Sequence, residues 1–308
     1  FTYRLENMIF NKFFILFKIG RKIGKSNIIN IVSETHKIPV FIKLFFNLLA
    51  FSFSSSNNTK SKGKENLSES IQEMGTTFIK LGQFLATRPD IIGEKLSKEL
   101  ESLQDKLPPF SKKEAEKIII ENLGQSNFDD IIDLSEPIAA ASIAQVHKAK
   151  IKEDNIIKNV AIKVLRPNIK KIFNDEIDAI MLLAYIIENL ITKTKRLKLI
   201  EVVFLFKEIT NHEMDLRFEA AAAHEYAENT KNDLGFFVPK IYWNFTSESV
   251  LTLDWVDGVS IREKDLLKER NIETSKIATN LIQHFLRHAV RDGFFHADMH
   301  QGNIFINE

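Results

Sequence analysis

The 308-residue sequence contains no cysteine. Disulfides, thiol nucleophiles, thiolate zinc sites and cysteine-held iron–sulfur clusters are therefore excluded, and the absence fits a reducing setting. Nor is there an excess of either charge. The 42 basic and 41 acidic side chains leave a net charge of +1, which gives no reason to expect a nucleic acid as partner. The apolar stretch Ile38–Phe53 is broken by Lys43 and Asn47. It falls short of the roughly 20 residues that a spanning helix needs. No small-residue cleavage site follows an apolar run, so a cleaved signal peptide is disfavoured. There is no internal repeat, and no Rossmann glycine fingerprint. What is present is 44% hydrophobic and 27% charged, as a packed core requires, in a chain long enough for two domains or one two-lobed domain.

Residues 1–53 differ from the rest. They hold ten of the 25 phenylalanines and eight Lys or Arg, against only Glu6 and Glu34. Basic charge beside Phe-rich segments suits a helix lying at an anionic membrane surface, the reading preferred over an amphipathic helix packed on the domain. Residues 54–66, polar and rich in Ser, Asn and Lys, read as a linker. From Leu67 the apolar positions Ile71, Met74, Phe78, Leu81 and Leu85 follow a helical period in a segment running to residue 135. A second helix is expected over Ile92–Leu103, stopped by Pro108 and Pro109. Ser111 with Glu114 predicts a capping box opening a third over 112–122. Strands are expected at Ile143–Ile151 and Ile157–Leu165, joined by the turn Lys152–Asn155, and again at Phe237–Trp243 and Ser249–Trp255. Long helical patterns cover 171–192 and 198–230, and another spans Glu273–Asp292. Strands followed by helices indicate an α+β domain, divided here into an N-lobe with inserted helices (136–257) and a partial C-lobe (258–308). The sequence does not open on Met, and Ile304–Glu308 reads as the start of a strand, so a fragment is expected.

Three ordered pieces carry chemistry. In Val160-Ala161-Ile162-Lys163 an apolar strand ends in a lysine, whose ammonium must emerge at a polar site or meet an anion. Kinases use a strand lysine in this tetrapeptide to hold nucleotide phosphates. Leu251–Gly258, a strand running into an acidic, glycine-ended turn, sits where a kinase hinge meets adenine, which singles out Asp254 and Val256. In His296-Ala297-Asp298-Met299-His300-Gln301-Gly302-Asn303, Asp298 and Asn303 have the spacing of the kinase loop H-R-D-x-x-x-x-N. That loop brings a carboxylate to the reacting hydroxyl or water and an amide oxygen to magnesium.

With these motifs the chain resembles the UbiB family of atypical kinase-like proteins over nearly its whole length. Lys80-Leu81-Gly82-Gln83 matches the family's K-x-G-Q motif. Ala139-Ala140-Ala141-Ser142, continuing through Ile143-Ala144-Gln145-Val146-His147, matches its alanine-rich loop, which stands where a glycine-rich loop would be. Alanines resist the positive φ that glycines allow and favour a helical turn. Glu213-Met214-Asp215 matches the E-x-D motif, and Phe294–Phe305 follows the family's catalytic segment with Gln301 in place of a proline. The resemblance implies a bilobal kinase-like fold with a helical N-terminal extension and an incomplete C-lobe. It also implies ATP and Mg²⁺ as cofactors and ATP hydrolysis rather than ordinary protein phosphorylation. By it, Lys163 contacts the phosphates and pairs with Glu219, Asp298 orients the nucleophile, Asn303 ligates magnesium and Ala139–Ser142 caps the phosphates. Lys80, Gly82 and Gln83, with Glu213 and Asp215, form a regulatory contact. It further implies a role in ubiquinone biosynthesis at the cytoplasmic face of a bacterial inner membrane. There the partners are polyprenyl phenol intermediates and the enzymes acting on them.

Two other readings stay open. His284 with His288, and His296 with His300, have metal-ligand spacing and allow a metal-dependent hydrolase, although the glutamate of H-E-x-x-H is missing. No D-x-G motif, the source of a further magnesium carboxylate, follows Asn303. That favours a non-catalytic nucleotide-binding scaffold.

Overall fold

The structure, a computed structural model, describes residues 15–24, 67–103, 107–190, 192–299 and 301–307. Of residues 1–53, the candidate membrane-surface segment, only 15–24 are described; its apolar stretch Ile38–Phe53 and the linker 54–66 lie outside the described residues, as does His300. The chain forms two compact units. One contains the described residues up to Pro108, with Ala140–Ala144 and Arg166–Met214; the other contains Pro109–Ala139, Gln145–Leu165 and the described residues from Asp215 onward. This division runs across the sequence blocks 67–135 and 136–257, because contacts rather than chain order group the elements.

The first unit is helical. Residues 15–24 form a helical stretch in which Ile19 is buried and Lys22 donates to the carbonyl of Met74 at 2.8 Å. The helical period expected to run unbroken from Leu67 is divided into α1 (Leu67–Met74) and α2 (Thr76–Ala86). Gly75 between them has φ +104°, a conformation that side chains with a Cβ rarely adopt. The helix expected over Ile92–Leu103 is shorter, α3 (Glu94–Glu101). Leu67, Leu96, Leu100 and Leu103 form a common core with Ile71 and Leu85. Helices α5 (Ile169–Leu190) and α6 (Leu199–Glu213) complete the unit; Phe206 of α6 contacts Phe84 of α2 at 5.5 Å and Phe173 of α5 at 5.6 Å between ring centroids.

The second unit is built on a five-stranded sheet of β1 (Ile131–Ile132), β2 (Pro137–Ala140), β3 (Ala144–Glu153), β4 (Ile156–Leu165) and β5 (Val250–Asp254). The order is β1-β3-β4-β5, with β2 also on β3. The hairpin between β3 and β4 turns on Asp154 and Asn155, both at positive φ, as the two-residue loops that suit strand twist require. Helix α4 (Lys112–Leu123) begins at the capping box of Ser111 and Glu114. Its Ile119 packs with Val160, Ile162 and Val164 of β4 and with Tyr242 and Val250.

Two expectations fail here. Phe237–Trp243 is no strand: it makes one bridge, Ile241 with Leu253, between Pro239, which has no N–H for a ladder, and a tight helical turn at Trp243–Phe245. The helical pattern 198–230 is also interrupted, because α6 stops at Glu213 and α7 (Leu216–Thr230) starts afresh behind Asp215. The Asp215 carboxylate accepts from the N–H of Arg217 and so caps the new helix. Further on, β6 (Val259–Ser260) pairs antiparallel with β7 (Phe305–Ile306). Helices α8 (Lys264–Glu269) and α9 (Thr274–Arg287) lie between them in sequence, and α9 passes into a π-helical turn at His288–Asp292. Among the described residues no helix is long and apolar enough to cross a membrane.

Candidate active site

Successive side chains of a strand point to opposite faces. In β4, Val160, Ile162 and Val164 take the core face, so Lys163 must leave on the other. There it meets Glu219 in the first turns of α7: its Nζ donates to both carboxylate oxygens, at 2.9 and 2.7 Å. Both partners keep solvent contact, with 27% and 49% of their side-chain surface exposed. The pair therefore positions the ammonium more than it stabilises the fold.

Asp298 and Asn303 also come together. The Asn303 amide donates to the main-chain carbonyl of Asp298 at 3.0 Å and approaches its Oδ2 at 3.4 Å, while the His296 ring accepts from the Asp298 N–H at 3.1 Å. An amide oxygen beside a carboxylate is a set of hard oxygen donors, the kind that suits Mg²⁺. Beyond Asn303 the chain is held by the β6–β7 pair. Gly258 lies against that pair so tightly that a Cβ there would stand 2.5 Å from Asn307 Oδ1 and 3.0 Å from the Phe305 Cβ.

In the segment expected as the hinge the two predicted residues differ. The Asp254 carboxylate is used locally: it accepts from the Tyr242 hydroxyl at 2.5 Å and from the Lys240 N–H at 3.3 Å, and its own N–H goes to the Lys240 carbonyl. The Val256 N–H and carbonyl make no hydrogen bond to the described residues, which leaves them able to meet the edge of a base.

The alanine-rich segment is not the helical turn that its composition favours. Ala139 and Ala140 end β2 in an extended conformation. The Ala141 N–H is taken by the Ala144 carbonyl at 2.8 Å, and its carbonyl accepts from Arg166 at 2.8 and 3.1 Å. The hydroxyl of Thr76 donates to the carbonyl of Ser142 at 3.3 Å. Arg166, three residues beyond Lys163, escaped sequence reasoning; its place just before Pro167 was the available signal. In β3 itself, the Gln145 side chain bonds both main-chain groups of Phe110 and reaches His147, whose other ring nitrogen meets the Ser135 carbonyl at 2.8 Å. Burial holds the His147 pKa below the usual histidine value.

Of the K-x-G-Q and E-x-D residues, Lys80 and Glu213 form an ion pair at 2.9 Å. Gly82 is required by packing, since a Cβ there would collide with Leu103 Cδ1 and touch Ile71. The Gln83 side chain makes no hydrogen bond to the described residues. Asp215 serves the α7 cap and holds the Arg217 guanidinium at 2.7 and 2.9 Å.

The histidine spacing does bring His284 and His288 together, with Asp233 as a third group, all within 4.8 Å. Asp233 is already neutralised, however. Arg291 donates to both its oxygens at 2.8 and 3.0 Å, and Arg287 stands at 3.6 Å. These guanidiniums hold the Asp233 carboxyl far below the usual carboxylate range, and they repel any cation that would use it. This disfavours the metal-hydrolase reading.

Residues 102–308 match the ABC1 atypical kinase-like domain. Among curated proteins, the probable protein kinase UbiB of Marinobacter nauticus is 34% identical over 272 residues, covering 88% of this chain and 49% of the relative. That of Pseudomonas paraeruginosa is 31% identical over 294 residues, covering 95% and 54%. The chain thus spans about half the length of the curated relatives it matches. A solved structure of Rv3197 with erythromycin, from Mycobacterium tuberculosis, is 25% identical, covers 73% of this chain and 55% of its own, and has a TM-score of 0.47, too loose a likeness to argue from. The domain match takes in more than half of the residues, and with it this chain belongs to the ABC1 family of atypical kinase-like proteins, among UbiB relatives.

Proposed function

We propose that the chain is the nucleotide-binding part of an atypical kinase-like ATPase that supports ubiquinone biosynthesis at a membrane. The observation that carries the reading is the Lys163–Glu219 pair, which holds an ammonium on the open face of the sheet in a fixed place. Phosphoryl transfer asks a protein mainly for positioning and for compensation of phosphate charge. Lys163 supplies a cation for the α/β-phosphates. Val256 offers main-chain groups to the base. The Asp298 carboxylate takes the proton of the attacking water. The Asn303 amide oxygen would hold Mg²⁺, which when bound would offset the charge of the phosphate oxygens. The ubiquinone role, the polyprenyl phenol partners and a peripheral place on the cytoplasmic face of a bacterial inner membrane follow the UbiB relatives and are part of the proposal.

One observation favours a second reading, a nucleotide-binding scaffold without turnover: the Ala141 N–H is spent within its own turn rather than left for a phosphate. Phosphate release from MgATP by the full gene product separates the two. The ATPase reading expects hydrolysis that Asp298→Asn lowers about 100-fold or more, the usual worth of a general base, with ATP affinity kept. Binding without Asp298-dependent hydrolysis leaves the scaffold.

A further inference from the structure

Within the second unit a buried polar chain runs beside the catalytic loop. The Tyr226 hydroxyl lies 2.8 Å from His288 Nδ1, and His288 Nε2 lies 2.9 Å from Asp233 Oδ2. His288 is fully buried and Tyr226 nearly so. Burial raises the Tyr226 pKa, so the phenol keeps its proton. The Asp233 carboxylate can only accept, so His288 Nε2 carries a hydrogen and donates to it. Arg291 neutralises that carboxylate and reaches the Asn229 carbonyl at 3.2 Å. At the other end, the Tyr226 ring meets Phe294 at 6.2 Å, at the start of the catalytic loop. The chain thus runs from α7 through His288 to a fixed anion.

A packed apolar cluster would hold this region at less cost in desolvation, so the polar chain has no evident value as core. His288 also opens the π-helical turn that ends α9, a local irregularity common where function requires it. Tyr226 shares α7 with Glu219, seven residues earlier. Seven residues are two helical turns, about 10 Å, and return to the same face. One helix thus carries the partner of Lys163 on one turn and, two turns on, a hydrogen bond to His288 at the head of the turn that leads into the catalytic loop.

We propose that the Asp233–His288–Tyr226 chain positions the catalytic loop, with the Tyr226 hydroxyl tying His288, at the head of the turn that leads into Phe294–Asp298, to the helix that holds Glu219. Tyr226 and His288 are positioning residues; they touch no reacting atom. The proposal rests on Asp298 being the reacting carboxylate only for its effect on turnover.

The test compares Tyr226→Phe, which removes only the hydroxyl, with Thr230→Val. Thr230 is buried on the same helix and bonds the Tyr226 carbonyl at 2.7 Å, so its loss weakens α7 while leaving the phenol in place. Hydrogen exchange is followed in the peptide covering 294–298 of the full gene product, with ATP turnover alongside. Tyr226→Phe should speed exchange there roughly tenfold, as loss of a buried hydrogen bond allows, with Thr230→Val close to wild type. Its kcat should fall roughly tenfold or more at unchanged KM, because displacement of a reacting group acts on the chemical step. Unchanged exchange in the loop, or equal acceleration in both variants, overturns the proposal. Faster exchange in Tyr226→Phe alone, in a protein with no Asp298-dependent hydrolysis, upholds the positioning and removes the ATPase reading instead.

Discussion

Replacing Asp215 by alanine should cost the second unit about 1 kcal/mol, the usual worth of an N-cap acceptor. The estimate follows from the geometry. Asp215 Oδ1 accepts from the N–H of Arg217 at 3.1 Å, and without it that donor at the head of α7 has no acceptor in the helix. The accompanying ion pair to Arg217 adds little, because the arginine is largely exposed. A loss of about 1 kcal/mol changes the folded-to-unfolded ratio roughly fivefold. At a slope of about 3 kcal/mol/M it lowers the urea midpoint by about 0.3 M. Asp215→Asn keeps an acceptor oxygen and loses only the favourable charge at the helix start, so its midpoint should lie between the two. Glu219 sits in the first turns of α7, so the alanine variant should also bind MgATP more weakly than the asparagine variant. Equal midpoints for wild type and Asp215→Ala, or for the two variants, refute the capping role and return Asp215 to a purely regulatory reading.

Three further outcomes follow from the same geometry. His147 is held neutral by burial, with Glu136 and Glu116 partly opposing this and Lys112 adding to it. The unfolded chain takes up that proton below about pH 6.5. The folded state resists, so the stability His147 contributes is complete above that pH and is lost as the pH falls toward its lowered folded value. Urea midpoints between pH 7 and 5 should decline less steeply in His147→Gln than in wild type. Gly258→Ala should force β6 away from β7 at Asn307 and Phe305, costing about 1–3 kcal/mol by thermal denaturation; a neutral result would show that the pair gives way freely. Gly82→Ala gains roughly 1 kcal/mol of helix propensity but collides with Leu103, and should still lower the melting temperature.

Much of this architecture is legible in the sequence where local chemistry decides. The β3–β4 hairpin, the Ser111–Glu114 box and the outward place of Lys163 each depend on residues within a few positions of one another, and the structure has all three. The breaks at Gly75 and Asp215 were hidden because the apolar period continues across both, while a φ of +104° and a single side-chain cap stop the helices. Phe237–Trp243 has strand composition, but Pro239 removes a ladder donor. The alanine-rich segment has helical composition, but its place between β2 and β3 and the Arg166 contact keep it extended. The Asp233–His288–Tyr226 chain could not be read at all, since its members lie on three elements separated by up to 62 residues.

The central claim is that Lys163, set by Glu219, holds a nucleotide. Its most direct test is the thermal shift of the full gene product with MgATP, beside Lys163→Ala. At a hundredfold excess over Kd a bound nucleotide adds about 2.7 kcal/mol, which for a protein of this size raises Tm by roughly 5 °C or more. The account predicts that rise in the wild type, its dependence on magnesium and its loss in Lys163→Ala. A wild type that does not respond, or a Lys163→Ala variant that responds equally, contradicts it.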